Sequence, residues 1–504
     1  MCSTALRGLS SVASGLVRRQ SAWPLHLHVR NAITLRRDFC ARANAAHALD
    51  DASSEKLGSA SPWATDGWGD SVEIIEQTMP DAHRALLSNA SVAIPTSSAE
   101  AGELPAVSDI LGAYEAQLQR RTARHLGYPY NLDYQNRELD RFMRYSINNL
   151  GDPFVPSNYG VHSRQFEVAV VDFFARLWRA DPNDYWGYVT TCGTEGNLYG
   201  MLLARETLPD GIVYTSSETH YSVFKAAHYY RQEVEVIPTL FNGQIDYDAL
   251  ATALRRNRGK PAILNVNIGT TVKGAVDDLD RILRTLSMTG YEREDYYVHC
   301  DGALFAMMMP FVEYAPELSF QRPIDSITVS GHKMLGCPMP CGIALTRRSH
   351  VRKIERRIDY LNSVDTTIMG SRNGHAALHM WHSLRTKGLE GIKAEVASCL
   401  KTAVYLRDSL SAEGITCQLN DLSSTVILER PADERFVKRW QLACEEDIAH
   451  VVVMPNVTTK KVDIFVAELV AMTKQHGRTA PRRENSPLTL LSSKAWGAHR
   501  AGHA

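Results

Sequence analysis

Seven short apolar segments rich in β-branched and aromatic residues punctuate the middle of the chain: Tyr188–Thr190, Ile212–Tyr214, Val234–Ile237, Ala262–Val266, Tyr296–His299, Ile327–Ser330 and Gly342–Thr346. Stretches of helical periodicity separate them. Strands alternating with helices predict a mostly parallel sheet covered on both faces, so the expected fold class is α/β. After about Arg348 the pattern changes to helices around two strands, Thr425–Leu428 and His450–Met454, the second ended by Pro455. This predicts a smaller C-terminal α+β domain. Within it Val462, Phe465, Val466, Leu469, Val470 and Met472 recur at helical spacing over Val462–Gln475, as one buried face requires.

The ends differ from the body. In residues 1–50, Arg7, Arg18, Arg19, Arg30, Arg36, Arg37 and Arg42 lie among Ser, Ala and Leu, and Asp38 is the only acid before Asp50. That is the pattern of an organelle-targeting presequence, with the mitochondrion as first destination and plastid or cytoplasm as alternatives. A basic disordered tail is the competing reading. Residues 51–106, rich in Ser, Ala, Asp and Glu, read as a disordered linker, and residues 479–504 as a disordered tail. This leaves 107–348 for an N-terminal segment and large domain, and 349–478 for the small domain.

Composition narrows the function. A chain of 504 residues, 44% hydrophobic and with a net charge of -1, can bury a large core and has no global basic field for nucleic acid. No apolar run approaches the roughly 20 residues that cross a bilayer. Neither nucleic acid nor membrane is therefore an expected partner. The nine cysteines are scattered, without a Cys-x-x-Cys pair, so a disulfide framework is not expected. Cys337 and Cys341 flank Pro-Met-Pro, and His379 and His382 share a helix-like stretch. Neither pair has the companion ligands a metal needs, and packing is the expected role.

The candidate chemistry sits where the apolar segments end. Gly331-His332-Lys333 follows Ile327–Ser330, and a lysine held where a strand runs into a turn can carry the aldehyde of pyridoxal 5'-phosphate (PLP) as a Schiff base. Alone, such a lysine is more often a solvated surface group. Upstream, however, Glu218-Thr219-His220 and His299-Cys300-Asp301 each follow another apolar segment. PLP chemistry needs these three types: an imidazole against the ring, a carboxylate for the ring nitrogen and an amine for the aldehyde carbon. Asp301 would hold the ring nitrogen protonated, since an opposite charge in hydrogen-bond reach favours the charged form of both partners. A phosphate cradle is expected at Cys192-Gly193-Thr194-Glu195-Gly196-Asn197, between a strand-like and a helix-like segment. Amides at a helix start attract anions there, and glycine permits close approach. No Gly-x-Gly-x-x-Gly or Walker-type loop occurs, which argues against dinucleotide and P-loop chemistry.

With these residues in place, the chain resembles the group II PLP-dependent amino-acid decarboxylases, and within them the plant-type serine decarboxylase (histidine decarboxylase-like) branch. The resemblance runs from about Tyr128 to Val470 through Ile147–Phe154, Ser157–Glu167, Asn267–Asp280, Cys337–Gly342 and Ile368–Gly374. It implies the fold type I architecture of PLP-dependent transferases, with Lys333, His220 and Asp301 catalytic. Lys333 would carry the cofactor, Asp301 would pair with its ring nitrogen, and His220 would stack on the ring and touch the substrate. Gly193, Thr194, Ser330 and His332 would surround the phosphate, with Thr271 near the ring. Thr191 departs from the branch, which usually has asparagine there. The resemblance also implies a homodimer with the site at the subunit boundary, and makes Tyr360–Arg372 a candidate loop reaching the neighbouring subunit.

Motifs shared by PLP folds do not separate decarboxylation from other bond cleavages at Cα, so the family blocks carry that choice. The expected reaction is that of a carboxy-lyase converting L-serine to ethanolamine and carbon dioxide. Histidine giving histamine is the alternative, aromatic amino acids come third, and oxidative deamination or a catalytically silent PLP-fold scaffold are further readings.

Overall fold

The computed structural model describes residues 80–476. The expected presequence, the first part of the expected linker and the expected tail from 479 lie outside those residues. Each of the seven segments forms a strand: β1 (Tyr185–Thr190), β2 (Ile212–Ser216), β3 (Val234–Ile237), β4 (Ala262–Asn267), β5 (Tyr296–Asp301), β6 (Ser326–Ser330) and β7 (Gly342–Arg347). They make one sheet in the order β1-β7-β6-β5-β4-β2-β3. Its run from β6 to β3 is parallel, while β7 is antiparallel to both β6 and β1. The exception has a local cause. A short loop without a crossover helix joins β6 to β7, and a chain that returns directly must pair antiparallel.

Helices cover both faces. Those used below are α1 (Val107–Ala123), α2 (Arg164–Leu177), α3 (Gly193–Thr207), α4 (Tyr221–Tyr230), α5 (Tyr247–Arg256), α6 (Leu279–Met288), α7 (Gly374–Ala412) and α8 (Thr459–His476). Asp246 and Asp278 start α5 and α6 by accepting backbone N–H bonds of the first turn, a contribution of about 1 kcal/mol each. These helices then bury Tyr247, Leu250, Ala253 and Leu254, and Leu279, Ile282, Thr285 and Leu286, as one stripe apiece. α3 lies closer to the sheet than side chains normally allow. A Cβ on Gly196 would collide with Thr328, and one on Gly200 with the His299 ring. The kink of α7 falls at Gly388, where φ is +62°.

A second sheet of β10 (Cys417–Leu419), β11 (Thr425–Glu429), β12 (Ala443–Glu445) and β13 (Ile448–Val452) is antiparallel throughout, in the order β10-β11-β13-β12. β13 begins and ends two residues before the expected His450–Met454. A two-stranded hairpin, β8 (Arg356–Ile358) with β9 (Ser363–Asp365), stands apart. α8 buries Val462, Phe465, Val466, Leu469 and Met472, while Val470 is half-buried. The described part of 51–106 departs from the expected disordered linker, for it contains helices at Asp81–Leu86 and Ser98–Glu103. The second has a reciprocal cap: Ser97 Oγ accepts from Glu100 N at 3.2 Å, and Glu100 Oε2 accepts from Thr96 N at 2.8 Å. Neither helix buries a residue, so core packing does not produce them, and only the second has a side-chain cap.

Candidate active site

β1, β2, β4, β5 and β6 all end at one edge of the large sheet, and the polar segments that follow them converge there. Ligands bind along the carboxyl ends of strands in open α/β sheets. Lys333, Asp301, His220, Gly193, Thr194, Thr271, Ser330 and His332 all line a single cavity of about 390 Å³. That volume is in the range of small-molecule sites.

Lys333 follows β6 through Gly331, a crowded position where a Cβ would sit 2.9 Å from Cys341 Sγ and Met380 Sδ. The Lys333 carbonyl accepts from Asn131 N at 3.1 Å and Gly336 N at 3.2 Å, which fixes the turn. Burial pushes the Lys333 amine pKa down, with Asp301 pulling the other way. The low-dielectric site thus favours the neutral, nucleophilic amine. His332 presents Nδ1 to the Cys341 backbone, its carbonyl at 2.8 Å and its amide at 3.1 Å.

Asp301, at the end of β5, is buried, and its Oδ2 accepts from Asn197 Nδ2 at 2.7 Å. His220 is the N-cap of α4, its Nδ1 accepting from Ser222 N at 3.3 Å and lying 2.7 Å from Ser222 Oγ. Burial lowers its pKa, Asp301 opposes that shift, and Lys333 and Lys225 reinforce it. His220 is therefore a neutral imidazole near pH 7.

The start of α3 is open to an anion. Cys192 makes no side-chain cap, so the first-turn N–H groups keep their capacity to bind. A Cβ on Gly193 would fall 2.7 Å from Ser330 Oγ, so the bare glycine brings the end of β6 up to the helix start. Thr191 is not on the cavity wall. Its N–H and its hydroxyl both donate to Glu195 Oε2 at 2.7 Å, so the departure from asparagine falls on a helix-start contact. Gly269, with φ at +102°, carries the chain from β4 towards Thr271, and a Cβ there would run into the Phe305 ring.

Thr425, Ala443, His450 and Val452 of the small sheet line the same cavity, as do Gly127, Tyr128, Pro129 and Tyr130. The latter strap is tied at both ends: Val452 N donates to the Leu126 carbonyl at 2.8 Å, and Asn131 N to the Lys333 carbonyl. His450 Nε2–H donates to the Gly127 carbonyl at 3.0 Å, and burial pushes the His450 pKa down to about 4. Tyr130, Phe305 and His450 were not singled out from sequence, and Asn197 figured there only as the last residue of the cradle. Their types carry no signal of their own, and only the fold brings them to the cavity.

The remaining sequence candidates lie elsewhere. Cys337 and Cys341 are buried free thiols. His379 contacts Tyr134 and accepts from Asn136 Nδ2 at 2.7 Å, while His382 Nε2 is 2.5 Å from Glu138 Oε1. In Tyr360–Arg372, three residues are anchored within their own chain. Ser363 is buried, Thr366 Oγ1 donates to Asp152 Oδ2 at 2.9 Å, and Arg372 forms a buried ion pair with Glu167. Tyr360, by contrast, is 82% exposed.

The sequence profile of the pyridoxal-dependent decarboxylase conserved domain matches residues 162–419. Serine decarboxylase 1 of Oryza sativa subsp. japonica is 57% identical over 371 residues, covering 73% of this chain and 77% of that protein. Histidine decarboxylase of Solanum lycopersicum is 47% identical over 363 residues, covering 72% and 88% respectively. Among solved structures, L-methionine decarboxylase from Streptomyces sp. 590, in complex with L-methionine methyl ester, matches with a TM-score of 0.69 at 27% identity. The match covers 76% of this chain and 98% of that one.

Proposed function

The chain belongs to the pyridoxal-dependent decarboxylase family, and on that premise we propose that it decarboxylates L-serine to ethanolamine and carbon dioxide. The observation that carries the reading is the meeting of Lys333, Asp301, His220 and the uncapped start of α3 on one cavity. Those groups fit PLP. The helix start and Ser330 suit the phosphate, Asp301 suits the ring nitrogen, the His220 ring suits the face of the pyridine, and the Lys333 amine suits the aldehyde. When bound, PLP supplies an electron sink for the pair left at Cα as carbon dioxide departs. Burial disfavours the charged form of Lys333, the direction that exchange with the substrate amine requires. Leu304 and Phe305 add apolar wall, where a carboxylate is poorly solvated and a transition state with spread charge suffers less.

Serine is favoured over histidine by the higher identity to the rice enzyme. A site built to bond a small hydroxyl also discriminates strongly, because an analogue without it leaves polar groups unpaired. The test is a panel of amino acids offered to the PLP-loaded protein, with products identified by mass spectrometry. Ethanolamine from serine is expected; histamine in its absence would overturn the assignment.

We propose further that the enzyme is a homodimer. On α1, Val107, Leu111, Tyr114 and Leu118 are 70%, 59%, 48% and 45% exposed and share one helical face. An apolar stripe of this kind asks for a partner. Sedimentation should show a dimer that Leu111→Glu with Leu118→Glu dissociates, and a wild-type monomer would refute it. Residues 1–50 are proposed as a mitochondrial presequence. A reporter fused to them that stayed diffuse in the cytosol would count against that role.

A further inference from the structure

Behind the cavity wall runs a chain of buried hydrogen bonds: Tyr297, Ser326, His299 and Asn197, which then branches to Asp301 and to Ser222 with His220. Resting on the PLP reading above, we propose that Asn197 and His299 are positioning residues whose fixed hydrogen-bond polarity aims the Asp301 carboxylate and dictates which nitrogen of His220 carries its proton.

Counting donors fixes the direction. Asn197 Nδ2 is 2.7 Å from Asp301 Oδ2 and 2.8 Å from Ser222 Oγ. Both amide hydrogens are thereby used, since a carboxylate only accepts. The reversed amide would set an oxygen against the Asp301 carboxylate at the same distance, with no proton between them. Asn197 Oδ1 therefore faces His299 Nε2, at 3.0 Å, as an acceptor, and His299 must carry Nε2–H. His299 is fully buried, and that burial pushes its pKa down to about 4, so its Nδ1 is a lone pair near pH 7. That lone pair accepts from Ser326 Oγ–H at 2.8 Å, and Ser326 Oγ accepts from Tyr297 OH at 3.0 Å.

The other branch follows. Ser222 Oγ accepts from Asn197, so its own proton is free for His220 Nδ1 at 2.7 Å. His220 Nδ1 accepts from Ser222 N–H as well. With Nδ1 an acceptor twice over, the neutral His220 ring bears its proton on Nε2. Every member from Tyr297 to Ser222 is buried. Reversing one link would strand a buried donor or acceptor, which is costly. The collision that a Cβ on Gly200 would make with His299 shows how closely the helix seats that ring.

The test compares three variants, read by PLP dissociation constant and by the 15N shift of ring-labelled PLP. Asn197→Asp keeps the shape but turns an acceptor towards Asp301. His299→Leu removes the donor to Asn197, and His299→Gln restores an N–H near the position of Nε2. Asn197→Asp and His299→Leu should each weaken PLP binding about tenfold or more, as expected for a disturbed hydrogen bond to a charged group. His299→Gln should return to within about threefold of wild type, and Leu and Gln variants that behave alike would overturn the proposal. Histidine 15N shifts of the wild-type protein provide a reading that needs no altered chain to fold. Nε2–H at both His220 and His299 is expected, and Nδ1–H at His220 would sink the proposal. A wild type that takes up no PLP would instead remove the functional reading, leaving the histidine shifts to judge the bond chain.

Discussion

An amine in a low-dielectric wall is cheaper to hold uncharged, and the Lys333 amine is desolvated by burial and also faces a carboxylate, Asp301. Burial lowers the cost of losing its proton, and Asp301 opposes that shift. Lys333→Ala should abolish covalent retention of PLP after borohydride reduction, read by peptide mass. Turnover should fall by several orders of magnitude. Wild-type rates in that variant would remove the catalytic role. Lys333, Asp301 and His220 stood out in the sequence because few chemistries need those three types at the ends of apolar segments. Asn197, Ser222 and His299 did not. An asparagine, a serine and a histidine acquire meaning only from the direction of the hydrogen bonds they share, and those partners lie 25 to 104 residues apart along the chain.

Among the elements, the strands most easily read from sequence were those buried on both faces. β2, β4 and β6 are buried along their whole length, and each carries β-branched or aliphatic residues at its centre. β10 and β12 have three residues each, too few for an alternation to register, and β13 slipped by two because apolar residues continue past its pairing with β11. Turns between strands and site were legible as glycines, but their stringency was not. Gly269→Ala must adopt a positive φ and push its methyl into Phe305, costing roughly 2–5 kcal/mol from backbone strain and overpacking together. Gly102→Ala is the control: it lies in the helix Ser98–Glu103 with open space around it, and should be neutral to stabilising. Urea midpoints of the two variants should therefore move in opposite directions or differ by that margin. Equal midpoints would mean that the β4 turn can relax around the added methyl.

For the whole molecule, the burial that builds the site also sets its acid limit. His299, His379 and His450 are buried and His125 is half-buried, and desolvation pushes each from about 6.5 to about 4. The unfolded chain takes up these protons as pH falls through 6.5, while the folded protein refuses them until about 4. Stability from these groups is thus complete above 6.5, declines between the two values and levels off below 4. Asp277 works against this trend. Burial raises its pKa from 3.8 to about 6, so the folded state binds that proton first and gains stability as pH falls below 6. Four groups oppose one. At pH 5 each histidine has lost about 2 kcal/mol while Asp277 returns about 1, so the histidines win by an amount comparable to a large part of a typical domain's stability. The thermal midpoint should accordingly fall steeply between pH 7 and pH 5 at constant ionic strength. His450→Gln keeps an N–H for the Gly127 carbonyl but cannot titrate, so it should flatten that slope by somewhat more than about a quarter if the four contributions are independent. An unchanged slope in the variant would show that His450 accepts its proton in the folded state, and that the cavity wall it helps to form is open enough to hydrate a charge.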